Sequence, residues 1–121
     1  MPEPVAHTFS KEERLCGKTS VAALVGHGHW GGCTHMKYCW ALRKEAEKSR
    51  ILVSVPKKFF KRAVKRNLLK RRIREAYRLQ KELLGSARAD IMFVYNSPEI
   101  ADYSVIRAEV AAALERIGKA Q

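Results

Sequence analysis

The chain has 121 residues, the size of one ordinary domain, and its 46% apolar content can fill one core but not two. Its formal net charge of +12 points to a polyanionic partner, either nucleic acid or an anionic membrane surface. No run approaches the roughly 18 apolar residues of a membrane span, and Met1–Ser10 lacks the apolar centre of a secretory signal. Cys16, Cys33 and Cys39 are odd in number and form no CxxC, so a reducing, cytoplasmic setting is expected.

Met1–Phe9 reads as a loose arm. Ser10 with Glu13 three positions later is a capping box, and Gly17 is expected to end that turn. Thr19–Val25 is a short apolar segment that predicts a helix stopping at Gly26. Gly26–Gly32 has four glycines in seven residues and is expected to be a flexible connection. His35–Leu42 alternates, with Met36, Tyr38 and Trp40 on one side and Lys37, Cys39 and Ala41 on the other, which is the period of a strand. Ile51–Val55 predicts a second strand, ended by Pro56. Arg62–Leu84 carries the longest helical pattern, closed by Gly85. Ile91–Tyr95 is a continuous apolar run that suits a buried strand. Tyr103–Ile117 repeats apolar residues at helical spacing, and Gly118 is expected to stop it. The order is helix, strand, strand, helix, strand, helix, in a single domain spanning residues 1–121.

The charge is concentrated. Between Pro56 and Arg78 lie 11 of the 24 basic residues against one acid, Glu75. The remainder of the chain is close to balanced. On a helix turning about 100° per residue, Leu69, Ile73, Ala76, Tyr77, Leu83 and Leu84 share one arc of roughly 120°, the core face. Asn67, Lys70, Arg71, Arg74 and Arg78 share another arc of roughly 100° on the far side. Lys57, Lys58, Lys61 and Arg62 form a strip along the connection that leads into this helix. Arg66 projects toward the core side and Arg72 toward the core flank.

Like charges three and four residues apart destabilise an isolated helix by a few tenths of a kcal/mol per pair. A solvated face would mix signs to relieve this, and a membrane-surface helix would need apolar residues that here belong to the core. An external anion offsets the repulsion and releases counterions. Arginine's planar fork suits phosphate and stacks on unpaired bases. The basic helix therefore reads as an RNA-binding face.

Lys65–Arg78 (KRNLLKRRIREAYR) resembles the signature helix of the protein subunit of bacterial ribonuclease P. That family carries Arg-Asn-Arg, one residue, Lys-Arg, two residues, Arg. Arg66, Asn67, Lys70, Arg71 and Arg74 match, and Leu68 departs from the usual arginine. Ser54-Val55-Pro56-Lys57-Lys58 is similar to the family's Ser-Val-Ser-Lys-Lys, with proline replacing serine. Arg14-Leu15 and Asp90-Ile91 match flanking family positions.

The resemblance implies an α+β, two-layer domain similar to a ribosomal-protein domain. It implies a four-stranded mixed sheet, about three helices and a left-handed strand–helix–strand crossover, where general rules favour the right-handed one. It implies a ribonucleoprotein endonuclease that removes the 5′ leader of precursor tRNA, with catalysis and magnesium in the RNA subunit. The implied partners are the ribonuclease P RNA and precursor tRNA, with no membrane and no obligate protein partner. The expected RNA-binding residues are Lys57, Lys58, Lys61 and Arg62 of the strip and Asn67, Lys70, Arg71, Arg74 and Arg78 of the helical face, together with Arg66, which the resemblance alone places in the site. In the family, aromatic residues on the first helix flank the leader. Those positions fall on Val21 and Val25 here, and Tyr38 is the possible aromatic replacement.

A second reading stays open at the level of the basic helix: a structural RNA-binding module, ribosomal or chaperone-like, without a cleavage role. His27, His29, Cys33, His35 and Cys39 lie within thirteen residues. Their spacing matches no standard zinc pattern, and no metal or catalytic residue is assigned to the protein. Trp30 and Trp40 suit packing at least as well as base stacking.

Overall fold

The computed structural model describes residues 18–43 and 48–120. The arm, the capping box, Gly17, Cys16 and the Arg14-Leu15 pair lie outside the described residues. Helix α1 spans Lys18–His27. It runs through Gly26 instead of stopping there, and the Gly28 N–H closes it by donating to the Leu24 carbonyl at 2.7 Å.

The glycine-rich connection is not a loop throughout. His29–Gly32 forms a strand, β1, which pairs antiparallel with β2, Met36–Leu42. Gly31 stands opposite Tyr38, and a Cβ there would lie 2.4 Å from the tip of the Tyr38 ring. The ring fills the space a side chain would need, so glycine is required by packing and the hairpin is held. Strand β3 spans Arg50–Ser54 and β4 spans Ala89–Tyr95. The sheet order is β1-β2-β4-β3, with β3 and β4 parallel and the other pairs antiparallel. A parallel neighbour needs a crossover, which α2, Ala63–Gln80, supplies. The helical pattern through Leu84 tightens after Gln80 into a 3₁₀ turn, Lys81–Leu84, and Gly85 follows at φ +61°. Helix α3 spans Tyr103–Lys119 and does not stop at Gly118. Gly118 instead allows close approach: a Cβ there would lie 2.9 Å from the Leu83 carbonyl oxygen.

The two faces of the sheet have different covers. On one, Met36, Tyr38, Trp40, Ile51, Val53, Ile91, Phe93 and Tyr95 meet Leu69, Ile73, Ala76 and Tyr77 of α2 and Ile106, Val110, Leu114 and Ile117 of α3. Each large aliphatic side chain buried there contributes about 1.5–3 kcal/mol. On the other face a small cluster of Leu24, Cys39 and Met92 seats α1, with Val21, Leu52 and Val94 packed around it. Central β4 is buried from both sides, which explains its unbroken apolar run. Beyond β4, the Tyr95 hydroxyl donates to the Glu99 carbonyl and accepts from the Ala101 N–H, fixing the turn into α3. No described helix is long and apolar enough to cross a membrane.

Candidate nucleic-acid interface

The basic stretch begins where β3 ends. Pro56 opens a turn that the Phe59 N–H closes onto the Pro56 carbonyl at 3.3 Å. Phe60 is buried and anchors the turn in the core. Lys57, Lys58, Lys61 and Arg62 are left exposed around it, with the Lys58 ammonium 4.9 Å from the centre of the Phe59 ring. Arg62 caps α2 without a side-chain hydrogen bond. Arg66 does the bracing instead. One guanidinium nitrogen donates to the carbonyls of Phe60 and Lys61, both at 2.8 Å.

Along α2, the four residues on the expected core arc are buried, Tyr77 among them. Asn67, Arg71 and Arg74 are exposed on the opposite side, and Lys70 is half-buried beside them. These four stand at three- and four-residue spacing and form one surface. Arg78 lies at its end, and both its Nε and a terminal nitrogen donate to the Glu75 carboxylate. That hydrogen bond holds the Glu75 carboxyl below its ordinary range and raises Arg78. The single acid of the stretch is thus matched to one arginine and leaves the rest of the front cationic. Arg72 points away and donates to the Ala101 carbonyl at 2.6 Å, tying α2 to the start of α3.

Among the described residues, α1 covers only part of its face of the sheet. Directly opposed residues share a face. Cys39, Met92 and Leu52 form one row, which α1 covers. The next row is Lys37, Val94 and Ser54, with Lys37 exposed and the other two half-buried. It runs across the sheet toward Lys57 and Lys58. Val21 packs against the cluster under α1, whereas Val25 is 44% exposed. The expectation for Tyr38 is corrected: it is 2% exposed and points into the main core, on the face away from this row. The alternation put Tyr38 with Met36 and Trp40, and that face is the covered one. The aromatic residue on this side of the sheet is Trp30, which extends the Cys39 row onto the edge strand β1 and is 45% exposed. It was missed as a distinct candidate because a strand was not legible among the glycines. At the far end of the sheet, Arg50 forms two hydrogen bonds to Asp90, at 2.8 and 2.7 Å, and Arg43 lies 3.4 Å from the same carboxylate.

The histidines and cysteines do not converge. Cys39 donates to the Leu24 carbonyl within the α1 cluster. Cys33 is directed at the Glu109 carbonyl, and His35 is held by the Glu109 carboxylate through both its backbone N–H and its ring. His29 lies against the Trp40 ring. Burial pushes both thiols above their ordinary value, so they stay protonated at neutral pH. Among the described residues, no three His, Cys, Asp or Glu side chains are placed to hold a metal ion.

The Ribonuclease P family pattern matches residues 9–118. A Porphyromonas gingivalis ribonuclease P protein component is 37% identical over 125 residues, covering 97% of this chain and 91% of the relative. A second strain's protein of the same name is 36% identical. The RNase P protein from Thermotoga maritima shares the fold with a TM-score of 0.76 at 24% identity, covering 87% of this chain and 97% of that one. A Staphylococcus aureus RNase P protein shares it with a TM-score of 0.67 at 24% identity, covering 89% and 94%. The α+β architecture, the four-stranded mixed sheet and the three helices all agree with these relatives. The chain therefore belongs to the ribonuclease P protein family, the protein subunit of the ribonucleoprotein enzyme that processes the 5′ ends of tRNA.

Proposed function

We propose that the chain grips the ribonuclease P RNA with Asn67, Lys70, Arg71 and Arg74 of α2 and with the strip Lys57, Lys58, Lys61 and Arg62. Arg66 serves that strip by bracing its turn, and Arg78 closes the front beside Glu75. The 5′ leader of precursor tRNA crosses the row Lys37–Val94–Ser54 as a single strand. One observation carries this reading. A dense cationic front stands exposed on a helix whose back is locked in the core, and its one acid is already matched to Arg78. Phosphates offset that crowding.

In this reading bond cleavage belongs to the RNA subunit in the cytoplasm, and magnesium is expected there to activate water. The protein contributes binding and orientation. The test is reconstitution with a bacterial ribonuclease P RNA at low magnesium. The chain is expected to stimulate cleavage of precursor tRNA and to favour leader-bearing over leaderless substrate. Absence of stimulation would overturn the proposal.

A further inference from the structure

Val64 is 79% exposed, whereas the other exposed large apolar residues among those described lie between 38% and 45%. A single apolar residue at a surface needs no explanation, but the surroundings of this one do not suit it. It stands in the first turn of α2, and Lys61, Arg62 and Lys65 around it are all exposed. The helix gives no reason for it, since a β-branched residue is a weaker helix former than lysine or arginine. The core does not claim it either, because the buried residues of α2 are Leu69, Ile73, Ala76 and Tyr77.

Position adds the second argument. Leu68 is half-buried and stands four residues on, so the two side chains are neighbours about 6 Å apart along the helix. Each has a member of the RNA front three residues further on: Asn67 after Val64 and Arg71 after Leu68. Arg72, one turn beyond Leu68, is turned aside into the Ala101 carbonyl, and Ile100 before it is 39% exposed. Over its first two turns, the cationic front therefore has an apolar edge on the side of α3. A phosphate gains nothing from valine or leucine. The face of a nucleobase does, and it is available where the base is unpaired, because a helical RNA presents its backbone and base edges.

We infer that Val64 and Leu68 form an apolar seat for one unpaired nucleobase of the ribonuclease P RNA, with the neighbouring phosphates falling to Lys61 and Arg62 on one side and Arg71 on the other. The inference rests on the RNA front proposed above and adds a contact to the base itself. Such a contact supplies affinity that salt does not screen, and it requires a base at one nucleotide, which phosphate contacts do not.

The experiment titrates the full chain with a bacterial ribonuclease P RNA across a salt series, without precursor tRNA. Wild type is expected to bind with a steep salt slope. Val64→Ser should lose about five-fold at every salt concentration and leave the slope unchanged. Serine and valine have similar helix propensity, so its melting temperature should not move. Leu68→Arg should steepen the slope by about one unit and lose affinity at the high-salt end. In that background Val64→Ser should cost at most about two-fold, because both side chains seat the same base.

A Val64→Ser chain that keeps full affinity overturns the inference. So does a loss confined to low salt, which would place Val64 with the phosphate contacts. A variant whose only change is weaker self-association in sedimentation also overturns it, since the edge would then join two copies of the chain. If wild type shows no salt-dependent binding to this RNA, the RNA front fails first and the seat with it. A second measurement locates the base. With a photo-reactive phenylalanine analogue at position 64, cross-links should fall on one unpaired nucleotide, and cross-links spread along paired stems overturn the inference. An abasic substitution at that nucleotide should cost wild type about five-fold and Val64→Ser nothing further.

Discussion

Arg71 and Arg74 differ from Arg66, Arg72 and Arg78 in what their guanidinium groups already hold. The last three donate to protein acceptors: the turn carbonyls, the Ala101 carbonyl and the Glu75 carboxylate. Arg71 and Arg74 stand exposed on the front. Replacing either by Ala should weaken RNA binding and lower the slope of log K against log salt by about one unit. Stability should change by less than about 0.5 kcal/mol. Arg66→Ala should do the reverse, costing about 1 kcal/mol of stability in a urea titration through its two lost hydrogen bonds. The helical wheel showed that Arg66 leaves the front. It does not show which acceptors receive it, because those are carbonyls of a turn whose path depends on Phe60 entering the core.

Tyr95 gives a pH dependence at the same scale. Burial raises its phenol above the ordinary value of 10.0, and burial also raises the Cys33 and Cys39 thiols above 9.0. A raised folded-state value means that the unfolded chain loses its proton first. The stabilisation is therefore fully present below the unfolded values and is lost as pH rises through the folded ones. Unfolding free energy should be flat from neutral pH to about 9 and then fall, first with the thiols and above about 10 with Tyr95. Tyr95→Phe should remove the later part of that fall. It should also cost about 1–3 kcal/mol at neutral pH by leaving the Ala101 N–H without its acceptor.

At the scale of elements, the periodic segments were legible and the glycine-rich one was not. Met36, Tyr38 and Trp40 alternate because β2 buries one face, and α2 and α3 repeat at helical spacing because each buries one stripe. β1 has no such pattern. Its glycines leave half of it without side chains, and its one large residue on the α1 side of the sheet stays half in solvent. The strand exists because β2 offers an edge and the Tyr38 ring occupies the space beside Gly31, both products of tertiary structure. Gly118 misled for the same reason: it marks close packing on the Leu83 carbonyl and does not end α3. Gly31→Ala is the prediction at this scale. Its methyl would overlap a ring that is itself buried, so thermal or urea unfolding should register a loss of about 1–3 kcal/mol. Gly32→Ala, with open space around it, should cost far less.

For the whole molecule, the location of the charge matters more than its total. The core was legible in the sequence, and so was the cationic face of α2. The row Lys37–Val94–Ser54 was not, since it depends on which face α1 covers. The same concentration of charge sets two properties against each other. With a net charge of +12 gathered mostly on one surface, the folded state repels itself more than an expanded chain does. Salt screens that repulsion over a Debye length of about 10 Å at 0.1 M and about 3 Å at 1 M. Raising salt should therefore raise the melting temperature of the free protein. It should weaken RNA binding at the same time, because counterions released on association then return to a more concentrated bath. Melting curves and RNA titrations across one salt series check both signs. Arg71→Ala with Arg74→Ala should flatten the two responses together, because the same side chains produce them. A double variant that flattened the binding response and left the melting response unchanged would separate the RNA front from the source of the repulsion.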